Sequence, residues 1–310
     1  MGSLTLRSTG NVHWKQLAKK GKCVSQSDPK DIDTIDWLNA EQALLGIHGE
    51  ALLRYLRDAF FNDLTDTDQS VLELAHRLNW IAPDERGQLT PLGATVANSA
   101  REYCNWIDNE RALPEGLTQN DVSGKRVLDI GCGFGRALMA LSRNGATAVG
   151  VDVSSACLCM SEILAKRERL PAPDIRLGDA RRLDFDDSTF DLVIAVRSIY
   201  YMDVERVFSE IARVLVNGGR FFMVAMPLRT FGRNAFRPRT WLQRTRYAAH
   251  AFLTTVNSLS YMGTGHQIDK ASDLYLTNRG YIRRLEQVGL IVDHHDSTSH
   301  IYDAVRAARR

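Results

Sequence analysis

From residue 37 onward, the apolar side chains follow a helical spacing. Between Trp37 and Phe61, leucine, isoleucine and phenylalanine recur at intervals near three and four, which predicts helix, and the same pattern returns over residues 68–79. Residues 80–90 contain a proline and a glycine between short apolar runs and predict a small hairpin. Thr90 and Pro91 then suit the N-cap and first position of a third helix.

Helix, helix, short hairpin and helix resemble a winged helix, and the LTPLG segment at 89–93 is a familiar feature of that module. We predict a helical, winged-helix-like domain over residues 36–118, preceded by a flexible N-terminal arm over 1–35. One interpretation of this domain is DNA binding. The favoured one is a packing, lid or dimerisation module, because helix 68–79 mixes His76 and Arg77 with Asp68 and Glu73 rather than presenting a basic face.

Beyond a linker at 113–116 the pattern changes to short apolar runs that alternate with helical stretches. The predicted strands cover residues 127–130, 149–152, 174–177, 190–195 and 220–225, and the predicted helices cover 136–143, 155–169 and 204–215. Strands alternating with helices indicate right-handed βαβ units and a mostly parallel, doubly wound sheet. The sequence therefore predicts an α/β fold.

Composition excludes several classes of protein. The chain has 310 residues, of which 44% are hydrophobic and 25% charged, and its net charge is only +2, so neither wholesale disorder nor a generally basic surface is expected. No apolar run approaches the roughly 18–20 residues that span a bilayer, and the N-terminus lacks the apolar region of a signal peptide. Five cysteines without a CxxC pair do not suggest a structural metal site. We expect a cytoplasmic protein without a membrane partner.

A glycine-rich turn follows the first predicted strand. Gly131, Gly133 and Gly135 leave the backbone free of side chains, so that a ligand can lie close against it. A dinucleotide fingerprint would continue with a third small residue at position 136, where close packing under a pyrophosphate is needed. Arg136 stands there instead, which weakens the interpretation as a phosphate cradle.

Acidic residues follow three of the predicted strands. Asp129 ends the first strand, Asp152 ends the second, and Asp179 follows the third. Because ligands of open α/β sheets bind at the carboxyl ends of the strands, these three carboxylates are expected to line one cleft. Such a cleft would repel a polyphosphate and favour a cationic ligand that also carries hydroxyl groups. Each acid taken alone could instead be a helix cap or a surface charge.

Several ordered motifs resemble one family. VLDIGCGFG (127–135), VGVDVS (149–154), RLGDARRLDFDDSTFDLVIAVRSIYYM (176–202), IARVLVNGGRFFMV (211–224) and YIRRLEQVGLIVDHHDS (281–297) are similar to class I S-adenosylmethionine-dependent methyltransferases. The resemblance implies a Rossmann-like, seven-stranded sheet over residues 119–310, with S-adenosylmethionine as the cofactor.

The resemblance also implies roles for individual residues in holding that cofactor. The backbone of the glycine turn would meet its methionine and ribose parts, Asp129 would lie beneath its amino-acid end, and Asp152 would accept both ribose hydroxyls. Asp179 and the amide of Ala180 would contact the adenine. The full expected set is Asp129, Gly131, Cys132, Gly133, Gly135, Asp152, Val153, Asp179, Ala180, Arg197 and Ser198.

A long insertion, about residues 227–276, separates the fifth strand from the last helix. Residues 227–268 contain six arginines and no Asp or Glu, with aromatic residues interleaved. In the resembled family such insertions form a lid over the acceptor, and arginine suits anionic groups. The expected acceptor-binding residues are Tyr201, Arg233, Arg237, Trp241 and His266, and the candidate catalytic residues are His266, Tyr200 and Tyr201. A solvated amphipathic cap helix is the competing interpretation.

These expectations converge on methyl transfer to an oxygen, nitrogen or carbon atom of a small, anionic or aromatic biosynthetic acceptor. One alternative is methylation of RNA or a peptide through the arginine-rich lid. Another is a DNA-binding regulator that senses S-adenosylmethionine. The sequence does not fix the oligomeric state, and a homodimer is compatible with it.

Overall fold

The computed structural model describes residues 37–59, 68–80, 91–226, 228, 241–264, 274–296 and 303–309. Its centre is a seven-stranded sheet with the strand order β3-β2-β1-β4-β5-β7-β6. The strands are β1 (Arg126–Ile130), β2 (Thr147–Asp152), β3 (Asp174–Leu177), β4 (Phe190–Val196), β5 (Leu215–Ala225), β6 (Leu290–Asp296) and β7 (Asp303–Arg309).

The first five strands pair in parallel, and β7 pairs antiparallel with both β5 and β6. The chain starts at β1 in the middle, runs outward to β3, returns to β4 and continues to the other edge. This order confirms the doubly wound, mostly parallel, Rossmann-like sheet expected from the sequence. It also places the carboxyl ends of β1 and β4 side by side at the point where the winding direction reverses.

Eleven helical segments of the described chain surround or precede this sheet. They are α1 (Trp37–Leu45), α2 (Gly49–Ala59), α3 (Gln69–Arg77), α4 (Pro91–Asp108), α5 (Gln119–Val122), α6 (Arg136–Arg143), α7 (Ser155–Arg167), a 3₁₀ turn (Ile199–Tyr201), α8 (Val204–Val214), α9 (Trp241–Thr264) and α10 (Asn278–Gln287). None of the helices in these ranges is long and apolar enough to cross a membrane.

The apolar stretch that starts at Trp37 forms two helices rather than one. The chain turns at residues 46–48, where the amide of Gly46 donates to the carbonyl of Gln42 at 2.9 Å. A Cβ at Gly49 would lie 2.0 Å from the Leu44 carbonyl oxygen, so only glycine allows the chain to turn so tightly. The predicted hairpin lies outside the described residues from position 81 onward, and the winged-helix assignment stays a prediction.

The N-terminal helices pack against the sheet domain through a shared apolar core. Leu52, Trp80 and Tyr103 belong to the same buried cluster as Met160 and Leu164 of α7. Burial of each such side chain contributes about 1.5–3 kcal/mol relative to its exposed form. The N-terminal helices are therefore held on the α7 side of the sheet.

A buried ion-pair network strengthens this junction. Glu168, at the end of α7, accepts hydrogen bonds from Arg111 Nε at 2.6 Å, Arg143 Nη2 at 3.1 Å and the Tyr103 hydroxyl at 2.8 Å. Its side chain is only 4% exposed. Tyr103 comes from α4 and Arg143 from α6, so one carboxylate joins the two parts of the chain.

Candidate active site

The glycine-rich turn between β1 and α6 has the backbone conformation that glycine alone adopts without strain. Gly131, Gly133 and Gly135 have φ values of 68°, 54° and 72°. A Cβ at Gly131 would lie 2.5 Å from the Cβ of Ser198, which follows β4, so the two loops meet too closely for any larger residue. Ser198 holds this approach, because its hydroxyl donates to the Ile130 carbonyl at 2.7 Å.

Asp152, at the end of β2, fixes the same turn. Its Oδ2 accepts a hydrogen bond from the amide of Gly133 at 2.9 Å, and its Oδ1 accepts one from the amide of Ser154 at 2.9 Å. Burial raises the pKa of this carboxyl, and the hydrogen bonds from the backbone partly oppose that effect. The N-cap of α7 is Ser154 rather than Asp152. Because a carboxylate offers about four acceptor positions, the Asp152 side chain retains capacity for a further hydrogen bond.

Asp129 is a buried carboxyl at the end of β1. The residue is only 2% exposed, and its pKa is raised to about 7, mainly by burial; Arg136 opposes this rise and Asp152 adds to it. A carboxylate in such surroundings is unfavourable unless a cation lies beside it. The position therefore favours a ligand that carries a positive charge.

Asp179 and its neighbours have a different arrangement. Arg181 donates to both oxygens of Asp179, with its Nε 2.8 Å from Oδ2, and this hydrogen bonding holds the pKa of Asp179 below its ordinary value. Ala180 is buried and Val153 is 59% exposed. A role for Asp179 toward adenine would require its carboxylate to serve Arg181 and the ligand together, and it stays a prediction.

Helix α4 covers the cleft beside the glycine turn. Asn98, Ser99, Arg101 and Glu102 of this helix line the cleft together with Asp129, Gly131, Cys132, Gly133, Arg136, Arg197 and Tyr200. A Cβ at Gly133 would lie 3.4 Å from the Ser99 hydroxyl oxygen. The N-terminal helices therefore contribute directly to the site.

Glu102 is the centre of an ionic cluster at this cleft. Its carboxylate contacts Arg197, lies 3.3 Å from Arg101 Nη2 and lies 3.6 Å from Arg136 Nε. Both of its oxygens are buried. Arg197 has a φ of 60°, an unusual value for a residue other than glycine, so its backbone conformation is strained. The cluster places three guanidinium groups around the Glu102 carboxylate, and Arg136 also interacts with Asp129, so the cleft offers groups of both charge signs to a ligand.

Neither Ser99 nor Glu102 is among the site residues expected from the sequence. No local pattern within residues 91–108 separates Glu102 from a solvated acid, so its role is visible only in the structure. Cys132, by contrast, was expected at the turn and is found there. Its thiol is buried, its burial raises its pKa well above the ordinary value, and it lies where a Cβ at Gly150 would meet it at 2.7 Å.

One aromatic side chain, Tyr200, lines the cleft beyond β4, and two other tyrosines pack beside it. Tyr200 is buried and stacks on Tyr275 with the ring centroids 5.1 Å apart, and its other neighbour, Tyr201, is 56% exposed. The amide of Leu274 donates to the Tyr200 carbonyl at 2.9 Å, which fixes the chain after the insertion against this side of the cleft. Tyr275, which is not among the residues expected from the sequence, supports the cleft from behind by stacking on Tyr200.

The sequence profile of a methyltransferase domain matches residues 128–223. This stretch begins in β1 and ends in β5, and it contains the glycine turn, Asp129, Asp152 and the loop after β4. The strand order of the sheet and the match to this sequence profile both indicate the same kind of domain. Residues 128–223 belong to a class I methyltransferase domain.

The methyltransferase domain has curated relatives of similar sequence. It is 39% identical over 107 residues to the phthiotriol/phenolphthiotriol dimycocerosates methyltransferase of Mycobacterium tuberculosis, which covers 34% of this chain and 38% of that protein. It is 38% identical over 106 residues to the fatty-acid O-methyltransferase of Mycolicibacterium smegmatis, which covers 33% of this chain and 38% of that protein. The match thus spans well under half the length of these relatives.

Solved structures show a weaker likeness. An S-adenosylmethionine-dependent methyltransferase from Mesorhizobium loti aligns with a TM-score of 0.46 and 20% identity, over 66% of this chain and 97% of that one. The fold assignment rests on the strand order rather than on this likeness.

The structure brings part of the predicted site together around the methyltransferase domain. Asp129, the glycine turn and Arg197 share one cleft, and Tyr200 closes its side. Arg233, Arg237 and His266 lie outside the described residues. Trp241 begins α9, but its side chain is not described.

Proposed function

We propose that this protein transfers a methyl group from S-adenosylmethionine to an oxygen atom of an apolar, lipid-like small molecule. The main observation behind this proposal is that a buried carboxyl, Asp129, lies beside a glycine turn whose backbone is accessible to a ligand. A polyphosphate would place negative charge against Asp129 and Asp152. A sulfonium donor carries positive charge, an ammonium group and a ribose diol, and it suits the same groups.

The residues present fit such a donor. The Asp129 carboxylate would hold the donor's ammonium group, and the pKa of about 7 would fall as that cation approaches. Asp152 would accept the ribose hydroxyls, since a carboxylate offers about four acceptor positions and the backbone amides leave part of that capacity unused. Arg197, which now contacts Glu102, would be available to the donor's carboxylate.

The donor, when bound, supplies an activated methyl group. The chain's own contribution is to bind and orient, because placing an acceptor oxygen in line with that methyl supplies most of the catalysis. The stacked pair Tyr200 and Tyr275 would exclude water from one side of the reacting groups. A hydroxyl acceptor must also lose its proton, and His266 remains the candidate base for that step.

The acceptor class is inferred from the relatives and from the insertion. One curated relative is named for methylation of phthiotriol and phenolphthiotriol dimycocerosates, and the other for O-methylation of a fatty acid. The insertion supplies arginines, including Arg233 and Arg237, that would bind an anionic end of the acceptor. Aromatic residues, including the exposed Tyr201, would contact its apolar part.

Calorimetry with S-adenosylhomocysteine, the expected product, tests the donor site. We expect Asp152→Ala to weaken binding by one to two orders of magnitude, because about 1.5–3 kcal/mol of charged hydrogen bonding is lost. Asp184→Ala, which removes an exposed acid from a neighbouring turn, is the matched control and should bind normally. Asp152→Asn retains an acceptor for the Gly133 amide, and its melting temperature checks that the turn is intact. Failure of the wild-type protein to bind, or equal affinity in all variants, would overturn the donor assignment.

A further inference from the structure

Over residues 251–264, where the burial of its side chains is described, helix α9 buries several polar side chains and exposes several large apolar ones. Three polar side chains of its central turns are almost completely buried: Thr254 (0% exposed), Asn257 (2%) and Ser258 (0%). Three large apolar side chains are among its most exposed: Phe252 (68%), Leu253 (61%) and Leu259 (54%). The buried side of the helix also carries Ala251 and Tyr261, so it is of mixed polarity. Scattered apolar residues are ordinary on protein surfaces, but three large ones exposed on one helix that buries polar side chains indicate an apolar environment outside.

Contacts on the inner side fix this orientation. The Ser258 hydroxyl oxygen accepts a hydrogen bond from the Tyr275 amide at 3.1 Å, and Arg284 of α10 donates to the Tyr261 carbonyl at 3.0 Å. The Arg284 guanidinium also lies 4.3 Å from the centre of the Tyr261 ring. Because Tyr261 and Arg284 are both buried, rotating α9 to bury Phe252 would break this junction.

The charge of the segment indicates what lies outside. Residues 227–268 contain six arginines and no acid, and Arg244 and Arg246 fall within the first six residues of α9. An exposed apolar helix face within an arginine-rich, acid-free segment is the pattern of a helix that lies in the plane of a membrane interface. Anionic headgroups attract such a segment with roughly 1 kcal/mol for each basic residue near the surface.

We propose that the exposed face of α9 docks this protein on a lipid surface that carries anionic headgroups. Phe252, Leu253 and Leu259 would enter the boundary between headgroups and acyl chains, and the arginines would contact the headgroups. The inner side of α9 is joined to the cleft by contacts, since the Ser258 hydroxyl accepts a hydrogen bond from the Tyr275 amide and Tyr275 stacks on Tyr200, which lines the cleft. This placement, which rests on the proposed function, would let a lipid acceptor pass from the surface to the donor site.

Vesicle sedimentation tests the docking without any turnover. The protein should sediment with vesicles that mix phosphatidylglycerol and phosphatidylcholine, much less with phosphatidylcholine alone, and less at high salt. Phe252→Ser combined with Leu259→Ser should weaken binding by about tenfold or more, since both exposed side chains lose their apolar insertion. Arg244→Gln with Arg246→Gln should remove the preference for phosphatidylglycerol.

Ile47→Ser is the matched control, because Ile47 is 98% exposed but lies outside α9, between α1 and α2. This variant should bind vesicles like the wild type. Melting temperature and S-adenosylhomocysteine affinity should be unchanged in every variant, which separates a failure of docking from a failure of the donor site. The proposal is wrong if the wild type ignores phosphatidylglycerol vesicles, or if the double serine variant binds them equally well. It is also wrong if gel filtration shows that this face instead joins two copies of the chain and the vesicles bind neither form.

Discussion

Asp129→Asn separates the cost of a buried carboxylate from its use in ligand binding. Burial raises the pKa of Asp129 from its ordinary 3.8 to about 7 in the folded protein. A carboxyl whose folded pKa is raised contributes stability that is complete below the unfolded pKa and is lost as pH rises toward the folded pKa. Over the window from pH 4 to pH 7, this one group should therefore lower the free energy of unfolding by about 4 kcal/mol.

The variant removes the titrating group with little change in shape. Urea unfolding of wild type and Asp129→Asn, measured without ligand at several pH values from 4 to 8, should give similar stabilities near pH 4. At pH 8 the variant should be more stable by up to about 4 kcal/mol. Asp184→Asn, at an exposed position, should leave the pH dependence of the wild type unchanged. Comparing the variants at each pH cancels the titration of all other groups.

Ligand binding should favour the wild type over Asp129→Asn, which is the reverse of their order of stability without ligand. A bound ammonium favours the ionised carboxylate, so S-adenosylhomocysteine should release a proton from wild type near pH 6–7 and should bind Asp129→Asn more weakly. Calorimetry in two buffers of different ionisation enthalpy measures that proton. A stability difference that is the same at every pH, or equal ligand affinity without proton release, would refute the assignment of Asp129 as the partner of a cation.

Two further variants test the packing around the cleft. Gly131→Ala should lose both ligand affinity and about 1–3 kcal/mol of stability. Gly124→Ala, with a similar φ of 70° and no atom near the added Cβ, should show the smaller backbone cost alone. Equal losses of stability in urea unfolding would contradict the close contact between position 131 and Ser198. Glu168→Gln should cost about 1–3 kcal/mol at pH 7. Burial alone would raise the pKa of Glu168, but hydrogen bonds from Arg111 and Tyr103 bring it below the ordinary 4.5. The stability advantage of the wild type over Glu168→Gln should therefore shrink as pH falls below that value. A stability advantage that stays constant with pH would argue against the network.

Local sequence patterns were sufficient to predict most of the sheet. The expected strand at 174–177 and helix at 136–143 have the observed bounds, and the strand expected at 127–130 is one residue longer. Continuous apolar runs between turn residues are informative because both faces of a parallel sheet are buried. The strand expected at 220–225 begins five residues earlier, since Leu215 already pairs with Phe190 across a register shift. A pattern of apolar residues does not contain such pairing information.

The glycine turn and two of its acids could be placed from the sequence for a related reason. Asp152 is the last residue of β2 and Asp129 the last but one of β1, and the parallel pairing of the two strands brings both to one edge of the sheet. Asp179 lies two residues beyond its strand, where local contacts determine the direction of its side chain. It pairs with Arg181, and the periodicity of the strand does not predict this short-range contact.

The cover of the cleft required information from distant parts of the chain. Helix α4 has an ordinary amphipathic pattern, and nothing within residues 91–108 distinguishes Glu102 from a solvated acid. Its position over the glycine turn follows from Tyr103 on the same helix, which is fully buried and donates to Glu168, 65 residues later in the chain. Once the position of Tyr103 is fixed in this way, the helix geometry also fixes the position of the adjacent Glu102, which then lies beside Arg136 and Arg197. The ionic cluster of the cleft is thus a consequence of packing between the N-terminal helices and α7, and loss of the Glu168 contacts should disturb the donor site as well as stability.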